Sequence, residues 1–434
     1  MHANPPRRAL AFEQNPPWSV PLRFFLSAPA FAALAGALLA WQGESVLLSR
    51  WSPQTLALTH LLVLGCVSMT MLGALLQMLP VVAGMAVPHV GQVGKLVHIG
   101  LSAGALLLAA AFWLEQQVLF RLAFLTLAAA FLLFLSACTV AMWRPHPHGT
   151  GAVIASVRLS LTSLIPVVVL GGLLAAAFAW PERMPLPLPR ITDIHAMWGL
   201  LGWVGLLVIG FAYQVVPMFM LTEPYPRWLT DHLSNIMFIL MVAASVSMDF
   251  TGTASLFHLS CLFLVGVGYV CFAAVTLALL ARRKRQQLDA TVCYWSTAMF
   301  SLIAATSLAL WPGTQGNARP LAIGVLMIAG FALSVINGML FKIVPFLAWH
   351  QMQQARERGG PKPPLVSQII PRHKALRQYA IHMLALVLLL CACYQPVLSR
   401  LAGLATCAAC LVLCAHLGQA VRSLVSVPAA ECAL

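Results

Sequence analysis

Two histidines stand inside apolar runs, His60 in LTHLLVLGCV and His195 in DIHAMWGLLG. An imidazole in hydrocarbon without a partner is costly, so His60 must either hydrogen-bond a neighbouring helix or ligate something. A neutral imidazole is a good ligand to haem iron when its second nitrogen is oriented by a neighbour. Asp193 precedes His195 by two residues and reads as its orienting group or as a helix cap.

A phrase of the form Gly-x-x-x-(Gln or Lys)-x-x-Pro occurs three times: GALLQMLP at 73–80, GFAYQVVP at 210–217 and GMLFKIVP at 338–345. A further glycine precedes each by eight residues, at Gly65, Gly202 and Gly330. Pro80, Pro217 and Pro345 each free the carbonyl four residues back, and at membrane depth that carbonyl needs a partner. Gln77, Gln214 and Lys342 stand close enough to help, and the glycines admit a neighbouring helix. The phrase therefore reads as a kink with a packing notch, or as a polar pathway lined by these three side chains.

Measured from the phrase, His60 lies thirteen residues before Gly73 and His195 fifteen before Gly210. Two residues turn a helix by about 200°, so the two positions are not equivalent. The slot that matches His60 holds Met197 in the second copy, a soft axial ligand or a packing residue, and Val325 in the third.

A second set comprises His98, His232 and His382, each near the start of the third helix of a repeat. Three such histidines around one axis suit a copper or zinc ion, and they equally suit residues at the headgroup level on the outside of a bundle. Cys407, Cys410 and Cys414 share one helical face, as a soft metal site or as small-residue packing. His146 and His148 form a weak loop pair, and His258 and His416 read as packed polar residues. No phosphate loop, nucleophile elbow, covalent haem-attachment motif or zinc-protease helix is present in the chain.

The elements that must hold these residues follow from composition. With 61% hydrophobic and 8% charged residues, the chain cannot be an ordinary soluble protein. Apolar stretches long enough to cross about 30 Å of hydrocarbon predict spans near 21–43, 55–84, 94–115, 117–143, 153–180, 194–221, 228–248, 255–281, 290–311, 321–349, 376–398 and 401–425. The first is too long for a removable signal peptide and reads as an anchor. Arg7, Arg8, Arg23, Arg282, Arg283, Lys284, Arg285, Arg356, Arg358, Lys362, Arg372, Lys374 and Arg377 fall on one side of a twelve-span layout. That side is expected to be cytoplasmic, with both termini. The net charge of +14 is then topology and anionic-lipid contact rather than a nucleic-acid surface. Cysteines lie almost all inside spans, with Cys432 in a tail, so no disulfide framework is expected. The phrase falls on spans 2, 6 and 10, at separations of 137 and 128 residues. Four spans per unit make the units parallel, about a pseudo-threefold axis along the membrane normal, at 1–150, 151–286 and 287–434. Inverted repeats, frequent in secondary transporters, need an odd number of spans.

Twelve spans in three four-helix arcs, with the segments LTHLLVLGCVSMTMLGALLQMLP (58–80) and DIHAMWGLLGWVGLLVIGFAYQVVPMF (193–219), resemble the haem–copper oxidase subunit I superfamily and its shorter NnrS-type relatives. The resemblance implies an all-α polytopic fold, b-type haem on His60, copper on His195, a bacterial-type inner membrane and a redox or nitric-oxide-related role with a membrane or periplasmic electron donor. This chain departs from the family in span 10, LAIGVLMIAGFALSVINGMLFKIVPFLAW, which has no histidine before His350. It also departs at 247–257, SMDFTGTASLF, where the family carries a histidine pair. The ligand set for four-electron oxygen reduction is therefore incomplete. The competing expectation is a permease for a metal ion, haem or small solute, with Gln77, Gln214 and Lys342 at its inner mouth.

Overall fold

The computed structural model describes residues 16–143, 151–250, 255–311, 313, 316–357 and 361–425. Arg7, Arg8, Arg358, His146, His148 and Cys432 lie outside these. Among the described residues there is no strand. Among these residues twelve helices are long and apolar enough to cross a membrane, the build of a polytopic membrane protein: Ser19–Leu48, Pro53–Val81, Val90–Leu114, Gln117–Met142, Gly151–Ala179, Leu188–Met220, Arg227–Met248, Leu256–Ala281, Ala290–Leu310, Ala318–Glu357, Arg372–Tyr394 and Pro396–Ser423, spans 1 to 12 in order. The apolar stretches in the sequence locate all twelve. Span 10 extends beyond its apolar core, because the polar run His350–Glu357 continues the helix.

Burial separates the spans into two layers. Spans 2, 6 and 10 have 72%, 72% and 83% of their apolar windows buried, against 28–50% for the rest. The other nine form a closed ring, in which 1 packs on 3, 3 on 4, 4 on 5, 5 on 7, 7 on 8, 8 on 9, 9 on 11, 11 on 12 and 12 on 1. Closure at spans 12 and 1 is tight, since a methyl group on Gly36 or Gly403 would strike the facing backbone. Small residues of this kind are what let helices associate in lipid.

Each inner span changes helix type midway. Val63–Ser68, Trp198–Gly205 and Leu326–Leu333 are π-helical, and the third of these segments packs against the other two. A π turn inserts one residue into an α-helix, which explains the eight-residue glycine spacing. On a regular α-helix seven residues return to within about 20° of the same face, whereas eight overshoot by about 80°. With one residue inserted, eight take the place of seven. The facing helices confirm the count: Gly65 and Gly73 lie against Phe31 and Phe24 of span 1, Gly202 and Gly210 against Ser163 and Ser156 of span 5, and Gly330 and Gly338 against Ser301 and Tyr294 of span 9. Each facing pair is separated by seven residues (31 − 24, 163 − 156, 301 − 294). A methyl group at any of the six glycines would come under 3.0 Å from these side chains.

A π segment disturbs the regular hydrogen-bond ladder, and in an apolar interior the affected carbonyls need other donors. Ser160 donates to the Trp203 carbonyl at 2.9 Å and Tyr269 to that of Leu201. Ser334 lies 2.9 Å from Nε2 of His382, directly after the third segment.

Candidate functional site

Near the ends of spans 2 and 6 away from the basic loops, the structure places His60 and His195 within electrostatic reach of each other. His60 enters on the second turn of span 2, whose start is set by Ser52, accepting from the Thr55 amide, and by Pro53. Its Nδ1 donates to the Leu56 carbonyl at 2.7 Å, and its ring stacks on Phe112 of span 3 with centroids 5.3 Å apart. Nδ1 of His195 donates across to the Val167 carbonyl of span 5 at 3.1 Å. Gly171 makes room for this ring, because a methyl group there would be 2.9 Å from Cε1. The two imidazoles lie within electrostatic reach of each other.

With each Nδ1 carrying the proton it gives to a carbonyl, the lone pair of each ring is on Nε2. Neither Nε2 has a hydrogen-bond partner among the described residues. Phe112, Phe120 of span 4 and Phe178 of span 5 form an aromatic wall beside the pair, with centroids 5.0–5.6 Å apart. Asp193 does not orient His195; it pairs with Arg50 at 2.8 Å and ties the span 1–2 loop to span 6. Met197 packs against the apolar core.

The donor set fits a metal that takes neutral imidazole, such as haem iron or copper. Both rings come from separate helices, both are held by a carbonyl behind the ring, and one occupies a notch that a methyl group would fill. The superfamily resemblance assigns the two histidines to different metals, and here the two rings lie within electrostatic reach.

The second histidine set is not assembled. His98 bonds Ser27 of span 1 at 3.0 Å, His382 is buried against Ser334 and Tyr294, and His232 is exposed on span 7. No group of three metal-ligating side chains forms among the described residues. Among the described residues His98, His232 and His382 thus do not gather into one site: two of the rings turn to hydroxyls on different neighbours and the third is exposed. Cys407, Cys410 and Cys414 remain free thiols.

The three pathway candidates also divide. Gln77 and Gln214 line a cavity of about 410 Å³ between the inner spans, in the half nearer the basic loops. Lys342 is not among its lining residues and instead binds Asp289 at 2.6 Å. Asp289 caps span 9 by accepting from the Thr291 amide at 2.9 Å. Its carboxyl is pushed up by burial and pulled down further by the Lys342 ammonium and the Thr291 bonds, so it titrates below the ordinary carboxylate value. Sequence reading missed this pair, although Asp289 directly before an apolar run is a cap signal.

No protein-family model matches the chain, and no curated protein matches it in sequence.

Proposed function

We propose that this is a metal-binding redox protein of the membrane, holding b-type haem iron between His60 and His195, with copper as the other metal these donors suit. It is read as three parallel four-helix repeats, 1–150, 151–286 and 287–434, in the manner of the haem–copper oxidase superfamily. The basic loops face the cytoplasm of a bacterial-type inner membrane. One observation carries the reading: two neighbouring imidazoles on different inner helices, each with Nδ1 tied to a main-chain carbonyl and Nε2 left as a donor atom. A purely structural role does not call for two imidazoles in electrostatic reach of each other that both keep a lone pair on Nε2.

A haem iron held by two imidazoles supplies one-electron transfer. The chain's own residues fix the two rings through Leu56 and Val167, and shield one flank with Phe112 and Phe178. The centre lies near the periplasmic face in this orientation, which suits a membrane or periplasmic electron donor and respiratory or nitric-oxide-related physiology.

The test is the absorption spectrum and metal content of detergent-purified protein expressed with ample haem. The expected result is a Soret band that shifts on dithionite reduction. A colourless, folded protein with stoichiometric copper would move the reading to copper. A colourless protein without metal would overturn it and favour the permease. A cysteine probe at Lys362 reached only from the periplasm would overturn the orientation.

A further inference from the structure

The cavity between spans 2, 6 and 10 carries an inference separate from the histidine pair. Its volume of about 410 Å³ falls in the range of small-ligand sites. Its deep end is set by Thr70, Leu207 and Val335, each three residues before the glycine of its phrase at 73, 210 and 338. The three phrases therefore stand at one depth along the cavity. None of its lining residues belongs to the three π segments, which pack together above it on the way to His60 and His195.

Four of the 23 lining residues are methionines, whereas the whole chain has 18 in 434. Methionine is an ordinary filler of irregular apolar gaps. A filler closes its gap, and these four border space that stays open. Their heights are ordered. Counted from the glycine of each phrase, Met71 of span 2 stands at −2 (71 − 73), Met339 of span 10 at +1 (339 − 338), Met78 of span 2 at +5 (78 − 73) and Met218 of span 6 at +8 (218 − 210). His350 of span 10 follows at +12 (350 − 338). Each step is three or four residues, about 4.5–6 Å of helix rise, and consecutive members come from different spans.

A thioether is a soft, uncharged donor that selects Cu(I), and imidazole also suits copper. Three rotatable bonds let each methionine turn its sulfur toward the cavity axis. The lining has no Asp or Glu, the oxygen donors that hard cations such as Ca²⁺ and Mg²⁺ take. A divalent ion also has a larger desolvation cost than a monovalent one on entering an apolar space.

We propose that the cavity is a soft-metal site in which Cu(I) is held by pairs of thioethers from different inner helices, Met71 with Met339 and Met78 with Met218, and in which His350 is the donor nearest the mouth. Met218, 39% exposed, and the polar run from His350 to Glu357 mark the basic-loop end as the side of entry.

The experiment uses the full chain in detergent and chloride-free buffer, ¹³C-labelled at the methionine methyls, with silver(I) nitrate as the diamagnetic, air-stable probe for Cu(I). Resonances are assigned through single Met→Leu variants, which nearly conserve volume. Silver(I) should shift the methyls of Met71, Met78, Met218 and Met339 saturably, while Met69 and Met299, both 0% exposed, stay in place. Reading methyls rather than bound metal keeps silver on the chain's 11 cysteines out of the signal. Zinc(II) nitrate should shift none of the four. Met71→Leu should weaken the silver(I) response at Met339 at least roughly tenfold, and Met339→Leu should do the same at Met71. In His60→Ala the four shifts should persist, which separates this site from metal held by the histidine pair; the Soret band reports on that pair independently. No saturable shift at the four methyls, equal shifts at Met69 and Met299, the same shifts with zinc(II), undiminished affinity in a folded leucine variant, or loss of the shifts in folded His60→Ala would each overturn the proposal.

Discussion

Spans 2 and 6 differ from span 10 in the polar residues that the frame carries, while the frame itself is common to all three. Each has a π segment, two glycines eight apart and a proline inside the helix. Spans 2 and 6 add a histidine near one end and a glutamine on the cavity wall. Span 10 has Val325 in the slot of His60 and turns Lys342 out to Asp289. The shared features therefore specify packing, and the features that differ report the chemistry.

The two-residue offset between His60 and His195 becomes intelligible in the same terms. Where units are related by rotation about one axis, the face that the first turns to the second is not the face that the second turns back. Residues at equivalent positions meet only on the axis itself. If the four-helix units proposed above hold, two imidazoles that approach each other between the first two units come from non-equivalent positions, as an offset of about 200° around the helix provides.

The largest effect expected concerns the shared frame. Gly65→Val, Gly202→Val and Gly330→Val each drive a branched side chain into Phe31, Ser163 or Ser301, at a cost of about 1–3 kcal/mol or more. All three should lower the melting temperature in detergent and the folded yield. Gly324→Ala, on the same helix as Gly330 but with no atom within 4 Å of the added methyl, should be tolerated. If only one of the three valine variants is destabilised, the frame is not common to the three helices.

Next in size is the effect on the metal. His60→Ala and His195→Ala should each remove the Soret band, or the bound copper, while the protein still runs as a single folded species. Met197→Leu should leave metal content unchanged, because Met197 packs in the core. Retention of full occupancy in either alanine variant would separate the two histidines and dissolve the contrast with span 10.

Much of this frame was legible in the sequence and much of the site was not, for physical reasons. Span positions follow from hydropathy, and the repeated phrase marks the three helices that become the inner layer. The π segments have no composition of their own, and their one trace is a glycine spacing of eight where a regular helix would use seven. The electrostatic reach between His60 and His195 depends on how spans 2 and 6 are turned relative to each other, which no local pattern encodes. Lys342 was legible as an intramembrane cation, but its partner lies 53 residues earlier.

The smallest effect expected tests span 10 directly. Lys342→Gln gives the third phrase the residue of the other two and leaves Asp289 without its ammonium. Both side chains are about a third exposed, so the pair contributes no more than about 1 kcal/mol. Asp289 titrates below its ordinary value in the folded protein because Lys342 and the Thr291 bonds outweigh burial. A carboxyl depressed in this way stabilises the fold fully at neutral pH and loses that contribution as pH falls below the ordinary carboxylate value toward the lower folded one. Wild type should therefore lose melting temperature on acidification faster than Lys342→Gln, and the two curves should converge once the carboxyl is protonated. Asp289→Asn keeps a capping side chain on span 9, so in a double-mutant cycle it isolates the charge interaction from the cap. A coupling energy of zero at neutral pH would mean that Lys342 is held by the surface rather than by Asp289, and span 10 would then differ from its neighbours only by lacking a histidine.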